Sequence, residues 1–196
     1  MAAMSKGEAT REAILDTASR LARSVGLGGI TIGTLATSAA LSKSGLYAHF
    51  RSKESLQVSI LEHTRARFVA EVVAPALTEP RGEPRVRALF ENWLAWDDQP
   101  GGCLFVAASS ELDDQPGPVR DRLVRYQQDW LDSLAEVFRT GLSEGHFLPG
   151  ADPEQFAFEV DGVMLSCHMS GRLLGDPHAQ SRARTAFEAL LDRARA

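Results

Sequence analysis

Apolar residues recur at spacings of three and four along almost the whole chain, and this spacing restricts the fold more than any other feature. The first such stripe consists of Ile14, Leu15, Ala18, Leu21, Ala22 and Val25. This period marks the buried face of an amphipathic helix. β-Branched residues are scattered and no segment alternates for long, so strands are not expected. The sequence predicts an all-α fold of about nine helices.

Hydroxyl residues mark the starts of the first four predicted helices. They are Thr10, Thr31, Ser42 and Ser52. Each side chain can accept a hydrogen bond from a backbone N–H of the turn that follows it. Gly26 ends the first of these helices. The second and third helices are short and joined by a tight turn, which is the layout of a helix-turn-helix.

Prolines set the boundaries farther along the chain. We expect the helix that begins at Ser52 to end just before Pro75, with a loop continuing to Pro84. Asp152-Pro153 and Asp176-Pro177 each place a capping carboxylate before a proline at the first helical position. These two pairs therefore predict the starts of the last two helices.

Charge is unevenly distributed. The chain as a whole has a formal net charge of −5, yet residues 1–68 hold nine Lys and Arg against five Asp and Glu. The remaining residues hold twelve against twenty-one. A basic first part joined to an acidic second part is typical of a phosphate-binding module attached to a sensing or assembly domain. Chance asymmetry between two surfaces is the other interpretation.

Composition points to an ordinary globular protein, with 44% hydrophobic and 24% charged residues. The first seven residues lack the apolar run of a secretory signal, and no apolar run approaches the ~20 residues needed to cross a bilayer. Only two cysteines, Cys103 and Cys167, are present, which excludes a disulfide scaffold. We expect a cytoplasmic protein that associates with the nucleoid if it binds DNA.

The segment Thr31–Phe50 carries the strongest functional signal. In a helix-turn-helix, the N-terminal residues of the second helix meet base edges in the DNA major groove. Here those residues are Ser42, Lys43 and Ser44. Lys43 has the reach to contact guanine O6 or N7. The predicted donors to the flanking phosphates are Thr31, Tyr47, His49 and Lys53.

The same residues resemble the TetR family of bacterial transcriptional regulators over roughly residues 10–60. The matching pattern is Thr31-Ile32-x-x-Leu35-Ala36, then Ala39-x-Leu41-Ser42-x-x-Gly45-x-Tyr47-x-His49-Phe50-x-x-Lys53-x-x-Leu56. The resemblance assigns DNA contacts to Thr31, Ser42, Lys43, Ser44, Tyr47, His49 and Lys53. One position departs from the family, because Ala40 stands where glycine is frequent. If that turn needs a positive φ, alanine costs of order 1 kcal/mol.

The resemblance also implies an architecture and a mechanism. It implies a DNA-binding domain over residues 1–54 and a helical ligand-binding and dimerisation domain over residues 55–196. It implies a homodimer formed through the last two helices, with a palindromic operator and a small-molecule effector that releases the DNA. The long helix that begins at Ser52 is expected to transmit the effector's signal. Repression is the usual outcome in this family.

Aromatic and sulfur-containing residues of the second part are candidates for an effector pocket. They are Phe90, Trp93, Phe105, Tyr126, Trp130, Met164 and His168. Such residues line most small-molecule sites, so we predict an apolar or aromatic effector. The alternative for each of them is a place in an ordinary core.

A catalytic function is not predicted. The sequence contains no His-x-x-x-His, Cys-x-x-Cys or Glu-x-x-His pattern, and no glycine-rich phosphate loop or nucleophile elbow, so neither a metal nor a cofactor is expected. The alternative function is a helical protein in which Cys103 and Cys167 act as a redox switch or an enzymatic site. A helical adaptor whose first domain binds protein is a third interpretation, disfavoured by the basic, hydroxyl-rich helix start.

Overall fold

The computed structural model describes residues 6–196, and within that range only one isolated bridge, between Phe147 and Arg195, breaks the pattern of helices and turns. The helices are α1 (Lys6–Val25), α2 (Ile32–Ser38), α3 (Lys43–His49), α4 (Lys53–Phe68), α5 (Ala74–Thr78), α6 (Glu83–Asp97), α7 (Leu104–Leu112), α8 (Pro118–Ser143), α9 (Pro153–Arg172) and α10 (Ala179–Ala194). A π-helical turn at Val69–Val73 joins α4 to α5. Because α4, the π-helical turn and α5 form one continuous run, these ten helices make nine separate helical runs. This confirms the predicted all-α fold.

The described chain divides into two compact units. The first contains the residues up to Arg67 together with Cys103–Val124, and the second contains Phe68–Gly102 and Arg125–Ala196. Helix α7 and the start of α8 thus pack with the N-terminal helices. The predicted domain boundary after residue 54 does not coincide with this division, and it stays a prediction.

The first unit is built around the apolar stripe of α1. Ile14, Leu15, Ala18 and Ala22 are buried, together with residues of the next three helices, namely Leu35, Leu46, Leu56, Ile60 and Leu61. The spacing that predicted α1 is therefore the spacing of its buried face, except at its C-terminal end, where the predicted stripe residue Val25 is 50% exposed. At the edge of this core, His63 Nε2 lies 2.8 Å from Asp16 Oδ1, which ties α4 to α1.

The second unit has an aromatic core. Phe138 stacks against Phe147 at a ring-centroid distance of 4.3 Å and against Phe156 at 4.2 Å. Phe90 and Phe187 stack in parallel at 3.9 Å, which joins α6 to α10. Ring pairs of this kind add about 0.5–1.5 kcal/mol each to the gain from burying their area.

An ion-pair network anchors the C-terminal end of α10 to the start of α6. The Glu83 carboxylate accepts hydrogen bonds from Arg195 at 3.0 and 2.7 Å and from Arg87 Nε at 2.7 Å. The two guanidinium groups, Arg195 first, lower the pKa of Glu83 to about 2. Because this pKa is depressed, the stabilisation is complete above the ordinary pKa of 4.5 and is lost as the pH falls towards 2.

Three predicted boundaries are wrong. Helix α1 begins at Lys6, so Thr10 lies inside it; Glu8 in the first turn favours the earlier start. The helical run passes Pro75 because the π-helical turn at Val69–Val73 changes the hydrogen-bonding register, and Pro75 then falls in the first turn of α5, where proline is tolerated. Helix α10 begins at Ala179, and Asp176 instead accepts a hydrogen bond from the His178 N–H at 2.9 Å.

Among residues 6–196, no helix combines the length and the apolar character that crossing a bilayer requires.

Candidate DNA-binding site

The first helix of the motif begins with a reciprocal cap. Thr31 Oγ1 accepts a hydrogen bond from the Thr34 N–H at 3.0 Å, and Thr34 Oγ1 accepts one from the Thr31 N–H at 3.0 Å. Two backbone donors of a helix start are thereby satisfied, which is the capping-box arrangement. The Thr31 side chain is exposed, as a residue that meets phosphate must be. The predicted cap at Thr31 is confirmed.

The second helix of the motif begins at a single hydroxyl. Ser42 Oγ accepts a hydrogen bond from the Gly45 N–H at 3.0 Å and lies 3.1 Å from Ser44 Oγ. This confirms the predicted cap at Ser42. The Ser42 hydroxyl thus binds the backbone at the start of α3, and the Ser44 hydroxyl lies within hydrogen-bond distance of Ser42. Both side chains stay exposed.

The turn between these helices has the left-handed geometry that glycine favours. Ala40 has φ +52° and is the only residue other than glycine with a positive φ in residues 6–196. The Leu41 N–H donates to Ala36 O at 3.0 Å and the Ala40 N–H to Thr37 O at 3.3 Å. These two bonds close a Schellman motif, in which the left-handed position is usually glycine. The strain foreseen at Ala40 is therefore present.

We expect replacement of Ala40 by glycine to stabilise the protein by about 1 kcal/mol, because glycine adopts this φ without the steric cost that alanine bears. Part of the gain is offset by the greater backbone entropy of glycine in the unfolded chain. Urea denaturation followed by circular dichroism measures the effect. Ala39→Gly is the control, since φ at Ala39 is −91° and glycine brings no relief there. A destabilised Ala40→Gly protein would contradict the strain.

Helix α3 separates its buried and exposed residues cleanly. Leu46 and the capping residue Phe50 are buried, at 0% and 2% exposure. Lys43 is exposed, and Tyr47 keeps 57% of its surface, so Tyr47 is no core residue. His49 is half-buried, with its ring centroid 6.3 Å from that of Phe50. The structure therefore places Lys43 and Tyr47 on the surface of the motif.

Lys53 has a protein partner of its own. Its ammonium group donates a hydrogen bond to Gly28 O at 2.6 Å, and the side chain remains exposed. One ammonium carries three donors, so this bond leaves two for a phosphate. The seven predicted DNA contacts all lie in the first unit, and their roles stay predictions.

Sequence reasoning missed Glu111. Its carboxylate, from α7, accepts hydrogen bonds from the backbone of the loop before Thr31, at the Leu27 and Gly28 N–H groups. The only sequence signal was the glycine-rich loop itself, because its partner lies more than 80 positions away.

The predicted effector residues fall in both units. Phe105 belongs to the first unit, and the other six belong to the second. Phe90, Trp93, Phe105, Trp130 and Met164 are buried, and Phe90 is covered by Phe187. Trp130 packs edge-on against Phe68 at 5.1 Å. These contacts are those of core residues, and the effector-binding role stays a prediction.

A histidine and a carboxylate of the second unit form a close pair. His168 Nδ1 lies 2.6 Å from Asp97 Oδ1, and both side chains are largely buried. Burial raises the pKa of Asp161, an effect reduced by the nearby indole N–H of Trp130. In residues 6–196, no three His, Cys, Asp or Glu side chains group closely enough to hold a metal ion.

The two cysteines are buried, lie in different units and are not joined in a disulfide. Burial, and next the negative charge of Asp97, raise the pKa of Cys167. A raised pKa lowers the fraction of thiolate, the form that reacts with oxidants. This chemistry does not favour the redox alternative.

Comparison with known proteins agrees with this geometry. The family model described as "Bacterial regulatory proteins, tetR family" matches residues 14–60, and the one described as "Tetracyclin repressor-like, C-terminal domain" matches residues 82–187. The HTH-type transcriptional repressor NemR of Escherichia coli strain K12 is 28% identical over 171 residues, which cover 84% of each chain.

Solved structures share the fold. A TetR-family transcriptional regulator from Cytophaga hutchinsonii superposes with a TM-score of 0.86 at 17% identity, covering 99% of this chain and 98% of that one. AibR, solved in complex with isovaleryl coenzyme A and operator DNA, gives a TM-score of 0.74 at 22% identity, covering 94% and 99%.

Proposed function

The chain belongs to the TetR family of bacterial regulatory proteins, and we propose that it represses transcription by binding a palindromic operator as a homodimer and leaves the DNA when a small effector binds. The observation that carries this proposal is the capped helix-turn-helix with Lys43 and Tyr47 on its exposed side. In this motif the second helix enters the major groove.

The proposed contacts divide into two kinds. Lys43 and Ser44 read base edges, since a lysine reaches guanine O6 or N7 and a hydroxyl accepts or donates to several bases. Thr31, Tyr47, His49 and Lys53 contact phosphates and set the register on the duplex. Ser42 contributes mainly by capping α3, which holds Lys43 in place.

Replacing Lys43 by alanine tests the proposal. We expect about tenfold weaker binding to a duplex selected from a random library with the wild-type protein. Fluorescence anisotropy across a salt series identifies the contact: a slope smaller by about one indicates a phosphate, and an unchanged slope indicates a base.

Arg20→Ala is the matched control for Lys43→Ala, because it removes one exposed positive charge of α1 outside the predicted contacts. Equal binding by Lys43→Ala and wild-type protein would remove Lys43 from the interface. A wild-type protein that selects no sequence would contradict DNA recognition itself.

A homodimer through α9 and α10 is supported by an exposed apolar stripe on α9. Phe158, Leu165, Met169 and Leu173 keep 72%, 40%, 50% and 77% of their surface. Their spacing puts them on one side of the helix. A groove of about 200 Å³ between α9 and α10, lined partly by Ala183 and other small residues, lies in the same unit. A two-fold interface buries the same patch on both subunits, and an exposed apolar stripe suits such a patch.

The effector is proposed to bind the second domain. AibR was solved in complex with isovaleryl coenzyme A and operator DNA, so a protein of this fold holds both a small molecule and DNA. The apolar or aromatic character that the sequence suggested rests on Phe90, Trp93, Phe105, Tyr126, Trp130, Met164 and His168. Thermal shifts against a panel of such compounds, followed by release of the selected duplex, test it.

A regulator of this kind acts by binding and needs no catalytic step, so we propose that the protein is not an enzyme. It acts in the cytoplasm, on the DNA of the nucleoid. Turnover of any compound that shifts its melting temperature would favour the enzymatic alternative.

A further inference from the structure

The loop between α1 and α2 is held by a carboxylate from α7. Glu111 Oε1 accepts a hydrogen bond from the Leu27 N–H at 3.0 Å, and Oε2 accepts one from the Gly28 N–H at 2.7 Å. All three residues belong to the first compact unit. Hydrogen bonds to an ionised acceptor are about twice as strong as neutral ones.

The loop is shaped to fit this carboxylate. A Cβ atom added to Gly26 would lie 2.5 Å from Glu111 Oε1 and 3.0 Å from its Cδ, and Gly26 also has φ +78°. A Cβ atom on Gly28 would lie 3.1 Å from Oε2. Side chains at either position would therefore press on the carboxylate. Glycine is required here by close approach as well as by backbone conformation.

Helix α4 holds the other side of the same two residues. Gln57 Nε2 donates to Leu27 O at 2.9 Å, and Lys53 Nζ donates to Gly28 O at 2.6 Å. The N–H groups of Leu27 and Gly28 thus bind a side chain of α7, and the carbonyl groups of the same two residues bind side chains of α4. Only two residues separate Gly28 from the Thr31 cap, so the backbone at 27–28 fixes where α2 begins.

We infer that Glu111 is a positioning residue for DNA recognition, which sets the placement of α2 and α3. The inference rests on the proposed function and adds to it a residue that touches no DNA. Breaking the bonds from Glu111 frees one side of the loop while Gln57 and Lys53 keep the other. The motif then stays folded and loses its fixed orientation.

The direction in which DNA affinity changes distinguishes a positioning role of Glu111 from a simple effect of its negative charge. Removing a negative charge near a DNA-binding surface strengthens binding to any duplex, because fewer unfavourable interactions with phosphate remain. Loss of positioning weakens binding to the recognised sequence. Glu111→Gln keeps the size and one acceptor oxygen but turns an NH₂ group towards a backbone N–H, so one bond is lost and two donors oppose each other.

The experiment compares Glu111→Gln with two further variants. Asp114→Asn removes the same charge from the adjacent exposed turn, and Glu111→Asp keeps the charge but shortens the side chain. Each is titrated by fluorescence anisotropy against the selected duplex and a scrambled duplex of the same composition. Hydrogen–deuterium exchange of residues 26–30 is measured without DNA, and circular dichroism checks folding.

We expect Glu111→Gln and Glu111→Asp to bind the selected duplex about tenfold more weakly and the scrambled duplex within twofold of the wild-type protein. Asp114→Asn should bind both duplexes at least as well as wild type. The amides of residues 26–30 should exchange faster in both Glu111 variants.

Binding of the selected duplex by Glu111→Gln within twofold of wild type would overturn the inference. If the wild-type protein selects no duplex, the proposed function fails separately, and exchange then decides whether Glu111 holds the loop: unchanged exchange at residues 26–30 overturns that as well.

Discussion

Replacement of Met169 by glutamate is expected to give a folded monomer that binds the selected duplex about a hundredfold more weakly. Met169 lies within the apolar stripe of α9, with Leu165 one turn before it and Leu173 one turn after it. In the proposed dimer a carboxylate at this position is buried against apolar surface, where an unpaired charge is strongly unfavourable. The monomer keeps its fold because Met169 is half-exposed within one chain.

The loss of DNA affinity follows from the loss of the partner subunit's DNA-binding domain. Two linked binding modules gain roughly 10²–10⁴ in apparent affinity over one, because the second contact becomes intramolecular. Light scattering gives the mass, and anisotropy gives the affinity. Leu77→Glu is the matched control, since Leu77 is apolar and 45% exposed in the same unit but lies on α5, outside the stripe. A Met169→Glu protein that stays dimeric at micromolar concentration would place the interface elsewhere.

Short-range features of the DNA-binding motif were predictable from the sequence. The caps at Thr31, Ser42 and Ser52 each need a hydroxyl and a backbone N–H two or three residues later, and both partners stand in the same short segment. At Ser52, as at the other two, the predicted bond is present, with the Ser55 N–H donating to Ser52 Oγ at 3.0 Å. The strained turn at Ala40 was foreseen for the same reason.

Boundaries that depend on several weak preferences were not predictable. Proline usually ends a helix, yet Pro75 lies within a helical run because the π-helical turn at Val69–Val73 changes the hydrogen-bonding register before it. Asp176 carries the capping chemistry expected of a helix start, but it accepts a hydrogen bond from the N–H of His178, the residue just before α10 begins. At both places the sequence identifies the residue type correctly but does not give the position at which the helix begins or ends.

Contacts between distant parts of the chain were beyond the sequence. The sequence of residues 26–29 does not indicate that their backbone hydrogen-bonds Glu111. Those hydrogen bonds exist because α7 packs within the first unit. The effector residues show the same limit. Phe90 and Phe105 have similar chemistry, and only the fold assigns them to different units. Side-chain type predicts that a residue is buried far better than it predicts what buries it.

Replacement of Leu46 by alanine is expected to destabilise the protein by about 3 kcal/mol and to abolish recognition of the selected duplex. Leu46 is fully buried and is the one buried residue within α3. Removing a buried leucine side chain costs 2–5 kcal/mol through lost burial and the cavity left behind. Helix α3 has seven residues, well below the ~12–15 that an isolated helix needs, so its structure depends on this anchor.

The neighbouring residue provides the contrast that identifies the role of each position. Tyr47 is 57% exposed, so Tyr47→Ala should change the free energy of unfolding by less than about 0.5 kcal/mol while weakening binding to the selected duplex about tenfold. Urea denaturation and anisotropy measure the two quantities on the same preparations. If Tyr47→Ala destabilised the protein as much as Leu46→Ala, the tyrosine would be a packing residue and not a DNA contact. The expected pair of results is a loss of stability for Leu46→Ala and a loss of affinity alone for Tyr47→Ala. That pair would show that the buried side of α3 anchors the helix and that its exposed side contacts DNA.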